Sequence, residues 1–141
     1  MTDEWKNRIL QLTNRTDEAE DLEFVRLIDM AIGQCDLDTC KVLMKTFVTD
    51  KDYGVQESVV SALSSAGTED YQIALLEELP RLIVDAPEWA EVLLEREVKN
   101  APNSLRRSLA VITQRNGQVF KELVSSKFPD FKIDDSVKSE D

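Results

Sequence analysis

The sequence predicts an all-α fold, a short right-handed α-solenoid of about eight helices stacked as hairpins. Three observations predict it. Apolar residues recur at spacings of three and four almost from end to end, with no sustained alternation of period two. Helix-start signals recur at Thr2-Asp3-Glu4, Thr16-Asp17-Glu18 and Thr68-Glu69-Asp70, each a hydroxyl able to cap free amides followed by acids that suit the positive end of a helix. Two turns with an aspartate at like places, Asp50 and Asp85, lie 35 residues apart, and a period of that size with two helices per unit marks a solenoid.

The elements follow in order. A first helix is expected over Asp3 to Leu12, with Trp5, Ile9 and Leu12 on one face. A second is expected over Asp17 to Ile32, with Leu22, Val25, Ile28 and Ile32 as the stripe and Phe24, Leu27 and Ala31 widening it; Gly33 then supplies a left-handed stop. Leu37 to Val48 and Gly54 to Ser65 read as a hairpin across the turn at 49–52, ended by Gly67. Asp70 to Val84 and Pro87 to Lys99 read as the next, the latter helix through Trp89, Val92, Leu93 and Leu94. Pro80 removes a backbone donor and is expected to kink the helix or end it near Leu79. Ser104 to Thr113 and Gly117 to Phe128 form a last hairpin turning at Asn116-Gly117. Residues 1–128 are thus one domain, and 129–141 a charged, loosely ordered tail with Phe131 and Ile133 tucked back against it.

Charge is one-sided. There are 28 Asp and Glu against 17 Lys and Arg, a net −11, with no histidine. Residues 1–50 carry −5, 51–100 carry −7 and 101–141 carry +1. Such a field repels nucleic acid and anionic lipid and speeds association with cationic partners, so neither nucleic acid nor membrane is expected as a partner. The acids in the helix-start signals have a structural explanation, which narrows the surplus available for binding. No apolar run is long enough to span a bilayer, and Met1-Thr2-Asp3-Glu4-Trp5 lacks the basic and apolar regions of a secretory signal, so a cytoplasmic location is expected.

Catalytic equipment is sparse. Without histidine the familiar triads and metal arrangements lack their parts, the four glycines are scattered singly, and no enzyme activity, cofactor or metal is expected. Cys35 and Cys40 on one continuous helix would point about 140° apart, unsuited to a metal or a disulfide; if a helix begins between them, Cys40 is a small buried apolar residue.

The acidic constellations are the better candidates. Glu88, Glu91 and Glu95 share a helix face at spacings of three and four, with Lys99 one turn beyond to pair with Glu95. Glu69, Asp70, Glu77 and Glu78 belong to the helix expected beside it, and Tyr53, Tyr71 and Trp89 are the nearest aromatics. Aromatic anchors within a charged rim are a common way of building an interface, so these ten residues form the expected partner-binding set. The alternative is that Tyr71 and Trp89 are core residues and the glutamates a solvated face.

Two segments carry a resemblance. Leu79-Pro80-Arg81-Leu82-Ile83-Val84-Asp85 resembles the first helix of a HEAT repeat, and Asp50 through Val55, Val59, Ala62, Leu63 and Gly67 its turn and second helix, with Gln56 where that repeat has arginine. Together with the size, acidity and missing catalytic parts, the chain resembles the all-α, HEAT-like immunity proteins of bacterial polymorphic toxin and contact-dependent inhibition systems. The resemblance implies a cytoplasmic protein that neutralises a cognate toxin, a basic nuclease domain, by covering its groove with the acids of residues 69–95. A HEAT-like adaptor that organises other proteins is the alternative.

Overall fold

In the computed structural model, residues 1–49 and 53–131 are described, with the Tyr53 side chain excepted. Eight α-helices make up the described residues: α1 (Asp3–Gln11), α2 (Glu18–Met30), α3 (Leu37–Met44), α4 (Tyr53–Leu63), α5 (Thr68–Asp85), α6 (Pro87–Asn100), α7 (Pro102–Ser108) and α8 (Gln114–Lys127). Single 3-10 turns follow α1 and α7, and no strand occurs among the described residues. The fold is all-α.

Local chemistry sets the starts. Thr2, Asp17, Asp36 and Thr113 each accept a bond from the amide three residues on, at 3.1, 2.8, 2.9 and 3.3 Å. Two expected caps differ. Thr16 lies one residue before the cap and instead donates to Glu20 through both its amide and its hydroxyl, while Thr68 is already helical behind Gly67, which has no side chain to cap with. Gly33 does take the left-handed conformation, with φ +80°, and its amide donates to the Ser65 hydroxyl at 3.0 Å.

Helix α5 is the centre of the molecule, packing against α3, α6, α7 and α8. It runs unbroken through Pro80 to Asp85, so the expected stop near Leu79 does not occur. Its flanks explain why: Leu75, Leu76, Leu79 and Leu82 are fully buried, and that packing outweighs the loss of a single amide donor. Helix α2 also differs from expectation. Phe24, Ile28 and Ala31 face the core, whereas Leu22 is 66 % and Ile32 50 % exposed. The turn at Asn116-Gly117 is likewise absent; both residues lie in the first turn of α8, which Thr113 caps.

Helix α1 is tied to α2 by the Trp5 indole, which donates to the Leu27 carbonyl at 2.8 Å, and by a two-pronged Arg8–Glu23 pair. The loop after α3 docks on the α5–α6 junction. There the Thr49 amide and hydroxyl donate to the Asp85 carbonyl at 3.1 and 3.0 Å, and Phe47 stacks against Trp89 with ring centres 4.8 Å apart. Arg81 reaches the same loop, donating to the carbonyls of Met44 and Phe47 at 3.0 and 2.9 Å. Gln56 is fully buried and its side-chain oxygen accepts from the Val48 amide at 2.9 Å, so this residue anchors the same loop from α4. Phe131 tucks back edge-on against Phe120, under the Arg106 guanidinium, as expected; Ile133 and the rest of 132–141 lie outside the described residues.

A candidate protein-binding face

Nine of the ten candidate residues fall in four places, and the side chain of the tenth, Tyr53, lies outside the described residues. Tyr71 and Trp89 are core residues, only 6 % and 7 % exposed. Their rings cannot act as surface anchors, because α5 and α6 bury against each other and against the 44–49 loop the side that carries them. The Tyr71 hydroxyl is buried without a hydrogen-bond partner among the described residues, and burial, followed by the nearby Glu97 charge, pushes its pKa up.

Glu77 and Glu78 face α3. Glu77 pairs with Lys41 at 2.7 Å and Glu78 with Lys45 at 2.9 Å, so one lysine in α3 and one capping its end, a turn apart, meet two successive acids on α5. The Glu77 partnership holds the Lys41 ammonium above its usual pKa. These acids are committed inside the molecule. Glu69 and Asp70 lie at the start of α5, Glu69 lining a cavity of about 310 Å³ with Ser104, Arg107, Ser108 and Val111.

The remaining three acids run along α6. Glu88 is exposed and its carboxylate lies 3.3 Å from the Thr49 hydroxyl; Glu91 is half-buried; Glu95 pairs with Lys99 at 3.1 Å. Lys99 is thus the cation that terminates the stripe. Because α5 and α6 form a hairpin, Glu88 stands near the end of α5 while Glu69 and Asp70 stand at its beginning, about 24 Å away along an 18-residue helix. The ten residues are therefore not one patch, and α6 carries its densest acidic part.

What periodicity misplaced is the apolar component. Val92, expected in the core, is 50 % exposed, one turn from Glu88 and one from Glu95, and Val84 at the end of α5 is 78 % exposed. Valines, not aromatics, accompany the carboxylates at the surface. The sequence does contain the signal, since Val92 follows Glu88 by four and precedes Glu95 by three.

A second feature sits within the hairpin. Gln72 is fully buried, donates to the Glu97 carboxylate at 2.9 Å and the Ala101 carbonyl at 3.3 Å, and accepts from the Ser104 and Ser108 hydroxyls at 2.7 and 3.1 Å. Both ends of the amide are fully used, which fixes α5, α6 and α7 in one register. Among the described residues no group of three or more His, Cys, Asp or Glu is arranged to hold a metal, and no helix is long and apolar enough to cross a membrane. No protein-family model, curated protein or solved structure matches this chain.

Proposed function

We propose that this chain is a cytoplasmic immunity protein that binds a basic toxin domain, a nuclease, and blocks its groove with the acidic face of α6. The observation that carries the proposal is the carboxylate row Glu88, Glu91 and Glu95 with the exposed Val92 among them. Carboxylates set the approach of a cationic partner, and the valine offers apolar area to bury after docking. Glu77 and Glu78 serve the fold in this reading, and so do Tyr71 and Trp89, which seat α5 and α6 in the core.

We also read the helical hairpins as a short right-handed HEAT-like solenoid. Support comes from the packing of α1 on α3, α3 on α5 and α5 on α7, from α2 on α4, and from the bond between Thr49 and Asp85 at successive turns. A stack of this kind also suits an adaptor that organises other proteins, the second reading.

Two measurements test the proposal. Coexpression with the toxin domain encoded beside it should rescue cell growth; absence of such a domain, or failure of rescue, leaves the adaptor. With that partner in hand, the triple variant E88K/E91K/E95K should associate at least about tenfold more slowly at low salt, the difference shrinking as salt rises. An unchanged association rate moves the interface off α6.

A further inference from the structure

Cys35 and Cys40 are brought together by the way α3 begins. Asp36 is the capping residue, so Cys35 is the residue before the cap and Cys40 the fourth residue of the helix. Side chains at those two positions pack on each other across a helix start, the arrangement known as a hydrophobic staple. Here the staple consists of two thiols. The expectation that a spacing of five drives them apart holds only for a continuous helix, and this helix starts between them. The start of the helix therefore turns the two thiols toward one side, Cys40 from the first full turn and Cys35 from just before the cap. Cys40 is fully buried, whereas Cys35 is only partly buried.

We propose that Cys35 and Cys40 are a hydroperoxide-reactive dithiol that closes to an intramolecular disulfide, with Cys35 the attacking thiol and Cys40 the resolving one. The roles follow from access and position. Cys40 is buried and only Cys35 reaches the surface, and the staple positions set Cys40 behind it. In the first step the Cys35 thiolate attacks the terminal oxygen of the hydroperoxide. An S–O bond forms, the O–O bond breaks, and the departing oxygen takes a proton to leave as alcohol or water. In the second step the Cys40 sulfur attacks the sulfur of the Cys35 sulfenic acid. The S–S bond forms, the S–O bond breaks, and hydroxide leaves as water with the Cys40 proton. Two thiols and one hydroperoxide become one disulfide, one alcohol and one water.

The surroundings of Cys35 act in both directions. The nearby polar groups of Cys40 and then Ser65 favour its thiolate and bring its pKa down to about 7, against burial and the Asp36 charge. The carbonyls of Ala31 and Ala62, each 3.3 Å from the sulfur, favour the protonated thiol. The neighbouring Cys35 and burial push Cys40 strongly up, which keeps the inner sulfur a thiol.

The test is a brief exposure of the native full chain to hydrogen peroxide, followed by alkylation and peptide mass mapping. Cleavage after Arg26 and Lys41 releases residues 27–41 with both cysteines. That peptide should be about 2 Da lighter, resist alkylation, and regain both thiols with dithiothreitol. Fragmentation keeps this separate from oxidation of Met30, which lies in the same peptide and is exposed. In Cys40→Ser, Cys35 should stop as a sulfenic acid trapped by dimedone; in Cys35→Ser, Cys40 should remain a free thiol. Overoxidised Cys35 without the lighter peptide, a disulfide between two chains, or thiols that react only after unfolding would each overturn the proposal. The wild-type measurement decides even if a variant does not fold.

Discussion

Asp36 illustrates how much one side chain decides. It stands between the two cysteines, accepts the Thr39 amide at 2.9 Å and so fixes where α3 begins. That bond holds its carboxyl below the usual carboxylate range, with burial opposing weakly. Asp36→Ala should therefore cost about 1 kcal/mol at neutral pH, as lost caps do. The pH dependence has a definite sign. A depressed folded-state pKa contributes stability that is complete above the unfolded value of about 4 and is lost as pH falls through the folded one. The gap between wild type and Asp36→Ala in urea denaturation should accordingly be widest at neutral pH and narrow in acid; a gap that stays constant would mean that the carboxylate does not carry the cap. Gln72 is the converse case. Its isolated position in an apolar stripe gives no hint that four partners from α6, α7 and the residue between them converge on it.

At the scale of the element, α3 is the informative case because eight residues are too few to hold a helix by propensity alone. Its two ends are held by different means. Asp36 serves the first turn, and Arg81, thirty-odd residues away on α5, donates to the Met44 and Phe47 carbonyls at the last, where a cation is also favoured by the helix dipole. Arg81→Ala should lower stability by about 2 kcal/mol, the usual worth of charged hydrogen bonds. Arg81→Lys should recover only part of it, since an ammonium cannot span two carbonyls as the planar guanidinium does. Chemical denaturation of both variants measures this; equal stability of all three proteins would remove the cap from the account. Helix existence was legible from apolar spacing throughout, and so was the left-handed stop at Gly33. Boundaries and phases were less so. Leu22 and Ile32 satisfy the helical period as well as Phe24 and Ala31 do, and the choice is made by the helices that pack on α2, which periodicity does not contain. Pro80 and Gly117 read as interruptions because local propensity disfavours them in a helix. At Pro80 buried leucines on either side override it, and at Gly117 the cap at Thr113 places the residue in a first turn.

Across the whole molecule, the carboxylate spacing on α6 could be read from the chain, but the company those carboxylates keep could not. Whether Trp89 or Val92 faces solvent depends on the angle at which α6 lies on α5, and the larger ring went inside and the valine out. The division of the acids into paired and unpaired members was equally hidden, since Lys41 and Lys45 meet Glu77 and Glu78 only once α3 lies along α5. That division sets up opposing responses to salt. Screening weakens the ion pairs to Glu77 and Glu78, each worth about 0 to 1 kcal/mol near the surface, and the exposed pair of Arg8 with Glu23. It also relieves the mutual repulsion of a chain of net −11. The second effect should win, because the repulsion involves many carboxylates and the pairs are few. Raising sodium chloride from about 10 to about 150 mM, which shortens the screening length from about 30 to about 8 Å, should therefore raise the melting temperature by a few degrees. The triple variant E88K/E91K/E95K, with a net charge nearer zero, should gain less over the same range. If wild type instead melts lower as salt rises, the internal pairs dominate, and the acidic surplus costs the fold too little to need a functional reason for its presence.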